Sequence, residues 1–120
     1  MQFALSEDQL AVRDMARDFA VEKVAPHAIR WDEEKHFPVD VMREAARLGI
    51  GGIYINEDVG GSGMTRFDAA LIFEALAHGC PTVSAFISIH NMASWMIDAF
   101  GNAAQREKWL SCANLISWRD

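Results

Sequence analysis

A glycine-rich turn is the first feature of this sequence whose residue types could hold a ligand. Residues 60–63 read Gly-Gly-Ser-Gly and precede a helical pattern that begins at Thr65. Backbone N–H groups of such a turn can bind a phosphate when they stand before a helix. A Walker loop requires Gly-Lys-Ser/Thr at its end, however, and the dinucleotide fingerprint requires a third glycine where Arg66 stands. The sequence therefore favours a tight structural turn over a nucleotide-binding loop.

Cysteine and histidine residues offer a second kind of chemistry. Cys80 lies near the start of a helix, with His78 close in sequence and His90 on the following helix. A helix N-terminus favours a thiolate, so a nucleophilic Cys–His pair is conceivable. No recognisable motif orients such a pair, and a buried structural cysteine is the commoner case. His36 has an acid one helical turn away, Asp32, but no third ligand joins them, so we predict no metal site.

Three polar residues stand at successive i+4 positions and share one side of a helix: His90, Ser94 and Asp98. Such a row could form a hydrogen-bond relay, although polar side chains also line interfaces. The acidic residues elsewhere include no pair whose spacing singles it out for acid–base catalysis. We therefore interpret the row as the lining of an interface and predict no catalytic residue.

The composition predicts one folded domain without a nucleic-acid or membrane surface. The chain has 120 residues, of which 51% are hydrophobic and 23% charged, enough for one core and too few for two ordinary domains. Its net charge of −6, with scattered Lys and Arg residues, argues against nucleic-acid binding. Pro81, His90 and Asn91 interrupt the only apolar stretch that could be considered a membrane span.

Helical periodicity and its start and stop signals predict an all-α, six-helix bundle. Ser6 and Gln9 can form a capping box for the first helix, Gly49 suits the end of the third, and Asn102 can cap the last. Residues 49–55 are rich in glycine and isoleucine, and since no partner strand is found we interpret them as a buried extended connector. The predicted helices span residues 6–24, 26–34, 37–49, 65–77, 80–100 and 103–110.

Residues 65–77 are apolar nearly all round, which predicts that this helix lies in the centre of the bundle. The helix at residues 80–100 is the longest one and has the more unusual pattern. No residue between His78 and Asp98 carries a formal charge. The broad apolar side is predicted to be the core face, and the opposite side is predicted to be covered by a ligand or another domain, because a solvated helix would carry Lys and Glu there. The predicted core face contains Ala85, Phe86, Ile89, Met92, Ala93, Met96, Ile97, Ala99 and Phe100, and the predicted covered face contains Ser84, Ser88, Asn91, Ser94 and Trp95.

Several segments, in order and spacing, resemble the N-terminal helical domain of acyl-CoA dehydrogenases, and especially the short branched-chain members of that family. The resemblance covers nearly everything from Leu5 to Leu110. The segments that carry it are FPVDVMREAARLG at 37–49, DVGGSG at 58–63, FEALAHGC at 73–80 and FGN at 100–102, with GGIYI at 51–55, SIHNM at 88–92 and WMID at 95–98.

The resemblance implies a fold, an activity and partners for the complete enzyme. It implies a flavoenzyme of three domains, in a homo-oligomer, in which FAD takes a hydride from the acyl β-carbon of an acyl-CoA while a Glu base removes the α-proton. Electrons then pass to electron-transferring flavoprotein. It places the N-terminal half of the helix at 80–100 beside the acyl chain, where Ser84, Ala85, Ser88 and Met92 occupy the matching substrate-binding positions. It assigns no catalytic, cofactor-binding or metal-binding residue to this chain.

The last ten residues depart from the family pattern. We expect a helical domain at 1–110 and a divergent tail at 111–120, without the catalytic Glu or the flavin domain, so that this chain alone is catalytically silent and binds no FAD tightly. The N-terminus lacks the pattern of a signal peptide, which favours the bacterial cytoplasm or, for a mature form, the mitochondrial matrix. A non-enzymatic alternative stays open, in which the Ser84–Trp95 face binds another protein or a second copy of the chain.

Overall fold

The computed structural model describes residues 3–113, and this part of the chain is helical with no β-strand. The prediction of an all-α fold is confirmed. In chain order the helices are α1 (Glu7–Phe19), α2 (Ala28–Glu34), α3 (Val39–Arg47), α4 (Arg66–Gly79), α5 (Pro81–Phe100) and α6 (Ala103–Ala113).

The first predicted helix, at 6–24, is α-helical only as far as Phe19. Its continuation is a π-helical turn, Ala20–Val24, followed by a 3₁₀ turn, Ala25–His27, in which Pro26 removes one backbone donor. The N-terminus agrees with the prediction, because the Ser6 hydroxyl accepts from the Gln9 N–H at 3.2 Å and the Gln9 side chain accepts from the Ser6 N–H at 2.9 Å.

Helix α4 is the centre of the bundle and packs against both α1 and α5. Its residues are apolar nearly all round, so it can bury side chains on several sides at once. Ile72 and Leu76 are almost fully buried there, and Trp31 of α2 is a core residue as predicted. Gly79 permits the close approach at the end of α4, because a Cβ atom there would lie 3.0 Å from the Ala20 carbonyl oxygen.

The connector at 49–55 is buried, as predicted, but it is not extended. Ile50–Gly52 form a 3₁₀ turn, and Ile50, Ile53 and Ile55 are fully buried. A second 3₁₀ turn, Glu57–Val59, leads into the glycine-rich turn. These turns leave backbone N–H and C=O groups inside the protein without a regular helix or sheet to pair them, so partners must come from elsewhere.

Candidate functional site

Helix α5 presents its polar side to the core and its apolar side to the surface, so the prediction of its core face is wrong. Ser84, Asn91, Ser94 and Asp98 are buried together with Val83 and Ile87. The side predicted to be core is open instead: Ile89, Met92, Met96 and Phe100 are each at least 50% exposed. The polar side is covered, as predicted, but by this chain itself rather than by a ligand or another domain.

The buried side chain of Asn91 explains much of this inversion. Its Oδ1 atom accepts a hydrogen bond from the Ile53 N–H at 2.7 Å, and its Nδ2 atom donates to the carbonyl oxygens of Ile50 and Ile87, each at 2.9 Å. Asn91 is fully buried, so these bonds replace all contact with water. One side chain therefore supplies the partners that the irregular connector requires.

Asp98 makes the second link between α5 and the connector. Its Oδ2 atom accepts from the Asn56 N–H at 3.0 Å, and its Oδ1 atom accepts from Arg106 Nε at 3.0 Å and Nη2 at 2.7 Å. Arg106 also donates to both carboxylate oxygens of Asp58, at 3.0 and 2.8 Å. Arg106 thus joins α5, α6 and the turn before the glycines through two carboxylates.

The pKa values of this group follow from the contacts. Burial alone would raise the pKa of Asp98, but hydrogen bonds from Asn56 and Arg106 outweigh burial, and the pKa lies below its ordinary value. The pKa of Asp58 is also lowered, chiefly by its hydrogen bonds from Arg106. The pKa of Arg106 is raised, by Asp58 first and by Asp98 second. Asp98 is therefore an ionised structural group, and sequence spacing did not reveal its partners.

The glycine-rich turn does not fit a phosphate or flavin site. The N–H groups of Gly61, Ser62 and Gly63 donate to the carbonyl oxygens of Asn56, Gly52 and Ile55, at 3.0, 2.8 and 2.9 Å. A Cβ atom on Gly61 would lie 2.1 Å from the Ile55 carbonyl oxygen, so glycine is required by packing against the chain itself. With their donors occupied, these residues cannot cradle an anion, and the interpretation as a structural turn is confirmed.

The four predicted substrate-binding residues divide between two sides of α5. Ala85 and Met92 are exposed and Ser88 is half-buried, and their i, i+3, i+7 spacing places them in one stripe along the outer side. Ser84 is buried, and its hydroxyl donates to the Phe73 carbonyl oxygen of α4 at 2.7 Å. The structure therefore brings three of the four together on an open surface and turns the hydroxyl of the fourth inward.

An arginine is fixed next to this stripe by aromatic rings. The Cζ atom of Arg66 lies 4.0 Å from the centre of the Tyr54 ring and 4.7 Å from the Trp95 ring. The Trp95 ring also meets Phe100 edge to face, with 5.8 Å between ring centres. These contacts hold Trp95 beside the outer side of α5, and the sequence offered no signal that would have paired it with Arg66.

Other candidate chemistry finds no support within residues 3–113. No group of three His, Cys, Asp or Glu residues there could hold a metal ion. Cys80 is a free thiol of intermediate exposure at the boundary between α4 and α5. Among the described helices, none combines the length and the hydropathy that a membrane span requires.

Comparisons with known proteins match nearly the whole described chain. The family model described as the acyl-CoA dehydrogenase N-terminal domain matches residues 6–113 of this chain. The chain is 58% identical over 106 residues to the mitochondrial isobutyryl-CoA dehydrogenase of Dictyostelium discoideum, covering 88% of this chain and 26% of that protein. It is 51% identical over 104 residues to the mitochondrial isobutyryl-CoA dehydrogenase of Bos taurus, covering 87% of this chain and 25% of that protein.

The fold is shared with longer solved structures. The butyryl-CoA dehydrogenase of Megasphaera elsdenii superposes with a TM-score of 0.86 at 30% sequence identity, over 95% of this chain and 31% of that one. The chain thus spans about a quarter of the length of the curated relatives it matches.

Proposed function

Since this chain belongs to the acyl-CoA dehydrogenase family and carries its N-terminal domain, we propose that it is the substrate-side domain of a flavin-dependent dehydrogenase for short, branched acyl-CoA thioesters. The relatives named isobutyryl-CoA dehydrogenase support the branched substrate. The observation that carries the proposal is the outer stripe of α5, an open and uncharged helix surface at the positions where the resemblance places the acyl chain.

The residues of this stripe suit a pocket wall. Ala85 and Ser88 are small, which leaves room for a branched acyl group, and Met92 is a flexible thioether side chain that adapts to an apolar ligand. Ser84 contributes to the base of the wall by its shape only, because its hydroxyl is engaged by Phe73. None of the four side chains has an acidic or basic group that ionises near neutral pH, so their proposed role is to bind and orient the substrate.

The flavin and the catalytic base belong, in this proposal, to the remainder of a longer enzyme. The chain covers about a quarter of its relatives, and its own glycine-rich turn does not fit the flavin. We propose that the domain at 1–110 is silent and binds no FAD tightly when it stands alone. The proposed boundary lies three residues before the end of the family match at 113; of the proposed tail, 111–120, residues 114–120 lie outside the described part of the chain.

The proposed surroundings follow those of the relatives. The two isobutyryl-CoA dehydrogenases are named as mitochondrial proteins, which supports the mitochondrial matrix for a eukaryotic form of this chain. For the complete enzyme we propose acyl-CoA as substrate, electron-transferring flavoprotein as electron acceptor and a homo-oligomeric assembly. A bacterial cytoplasmic form, and the lack of a nucleic-acid or membrane partner, stay predictions from the sequence.

The proposed function can be tested by a domain exchange. Residues 6–110 of this chain would replace the corresponding segment of the Dictyostelium enzyme, to which the chain is 58% identical. A flavin-loaded chimera that dehydrogenates isobutyryl-CoA would support the proposal. A chimera that folds and retains flavin but prefers straight-chain substrates would contradict the branched specificity, and one with no activity on any acyl-CoA would contradict the domain's role.

The exposed side of α5 favours a second candidate, an interaction module. The sequence predicted that such a module would use the Ser84–Trp95 face. That prediction is wrong, because Ser84, Asn91 and Ser94 are buried within the chain. A module of this kind would instead use the apolar outer side, where Ile89, Met96 and Phe100 face solvent. An exposed apolar patch of this kind marks an interaction surface.

A further inference from the structure

A cavity lies on the other flank of α5, away from the proposed acyl wall. It is open to solvent on one side, has a volume of about 310 Å³ and is bordered by α2, the turn that follows α2, α3 and the first turns of α5. Helix α5 contributes Val83 and Phe86. Since an α-helix turns by about 100° per residue, Val83 and Ser88 point about 140° apart. The cavity is therefore separate from the surface at Ala85, Ser88 and Met92.

The interior of the cavity is apolar and its shape is set by local backbone bonds. The rings of Trp31, Phe37 and Phe86 and the side chain of Met42 form the walls, and Phe37 meets Phe86 edge to face with 4.7 Å between ring centres. Lys35 takes the left-handed conformation, with φ of 52°, and reverses the chain after α2. The N–H groups of Lys35 and His36 donate to the carbonyls of Asp32 and Trp31, at 3.2 and 2.8 Å, which fixes this reversal.

The mouth of the cavity is polar and faces solvent. Asp32, Lys35, His36 and Thr82 line it, and all four are exposed. This distinguishes the cavity from the outer side of α5, which carries no charged residue and is suited to contact with protein. Charged side chains at a rim retain their water, so a mouth of this kind suits a small molecule that enters from solvent better than a covering protein surface.

From these observations we infer that the cavity binds a small uncharged apolar molecule, aromatic or branched aliphatic. An apolar protein cavity of about 150 Å³ is large enough to bind benzene, and this cavity is about twice that size. Aromatic and thioether walls favour such ligands by dispersion and ring contacts. Trp31, Phe37, Met42 and Phe86 carry no charge, so an ionised ligand buried among these side chains would lose its hydration without compensation. This inference does not depend on the proposed dehydrogenase function.

Binding can be measured on the 120-residue chain itself by fluorine NMR, with fluorobenzene as the probe. We expect saturable broadening of the probe signal, and weaker binding by about tenfold or more for 4-fluorobenzoate, which has the same ring and an ionised carboxylate. Cys80 lines the same cavity, so peptide-resolved alkylation provides a second measurement. The rate of Cys80 alkylation should fall about tenfold when the fluorobenzene concentration is about nine times its Kd, because only protein with an empty cavity reacts.

Two blocking variants and one control make the test specific. Val83→Phe fills the cavity from its wall, and Thr82→Trp covers the mouth from an exposed position, so the second remains informative where overpacking prevents the first from folding. Both should abolish probe binding. Ala99→Phe adds a similar ring at an exposed position on the other side of the same helix and should leave binding unchanged.

Three results would overturn the inference. These are the absence of saturable fluorobenzene binding by the unmodified chain, binding that persists in a folded Val83→Phe or Thr82→Trp variant, and equal affinity for 4-fluorobenzoate. A fourth contrary result would be a dimer, detected by sedimentation, in which Cys80 is protected from alkylation in the absence of fluorobenzene. The cavity would then be occupied by a second copy of the chain.

Discussion

The amide oxygen of Asn91 accepts a hydrogen bond from the backbone N–H of Ile53, 38 residues earlier in the chain, at 2.7 Å. Neither group reaches water, since Asn91 and Ile53 are fully buried. This bond decides which side of α5 faces the core, and the orientation of α5 in turn decides which residues are left on the open surface. The orientation of the candidate substrate wall therefore depends on a contact far from the wall itself.

Replacing Asn91 by leucine should destabilise the domain strongly. Asn91→Leu keeps a similar volume but leaves the Ile53 N–H and the Ile50 carbonyl without partners, and unpaired buried groups of this kind cost about 1 to 3 kcal/mol each. We expect urea unfolding to show a loss of about 3 kcal/mol in the free energy of unfolding. Met92→Leu, on the exposed side of the same helix, should change it by less than about 0.5 kcal/mol. Equal stability of the two variants would show that the Asn91 bonds do not hold the connector.

The stability of the domain should depend on the ionisation of Asp98 at acid pH. Its pKa in the folded protein is lowered from 3.8, so its contribution is present above the unfolded pKa and is lost as the pH falls through the folded pKa. The free energy of unfolding should therefore decrease below about pH 4, and less steeply in Asp98→Asn. Asp40→Asn, at a side chain that is 93% exposed, should leave the slope unchanged. An unaltered slope in Asp98→Asn would assign the acid sensitivity to other carboxylates.

A large side chain at Ser88 should discriminate among substrates in a complete enzyme that carries this domain. Ser88→Trp narrows the pocket at its proposed wall, so kcat/KM should fall more for longer acyl groups than for the shortest. We expect the loss of kcat/KM to differ by about tenfold between acyl groups that differ by a few methylene groups. Ile89→Trp, at the neighbouring and more exposed position, is the matched control and should discriminate less. The same loss for every chain length would remove Ser88 from the wall.

The outer side of α5 should make the isolated chain associate. Met96→Lys together with Phe100→Lys places two charges on this side, and since both positions are at least 52% exposed, folding should be preserved. Sedimentation should show a concentration-dependent mass for the unmodified chain and a monomer for the double variant, because apolar patches drive association. Ala70→Lys with Ala104→Lys adds the same charge at exposed positions of α4 and α6 and should leave association intact. A monomeric unmodified chain would contradict this interaction surface.

Much of the fold could be predicted from local signals. Ser6 was predicted to begin a helix with a capping box, and this box is present in the structure. The helical pattern from Thr65 was also predicted, and the structure adds a capping box there that the sequence analysis did not identify. Gly61 and its neighbours were identified as a structural turn because the residues required for nucleotide binding are missing. These predictions succeed because a cap or a turn depends on side-chain and backbone atoms only a few residues apart.

The sequence by itself determined where the helices lie, that α4 is central and that α5 has two uncharged sides. Only the tertiary structure decided which of these sides faces inward. Periodicity identifies an apolar core face when the opposite face is charged. Helix α5 has no charged residue before Asp98, so periodicity could not show which of its two sides faces the core. The irregular turns at Ile50, Ile53 and Asn56 need hydrogen-bond partners, and Asn91 and Asp98 supply them across 38 to 42 residues. Leaving these backbone groups without partners would cost about 1 to 3 kcal/mol each, and this cost favours the orientation in which the polar side of α5 turns inward.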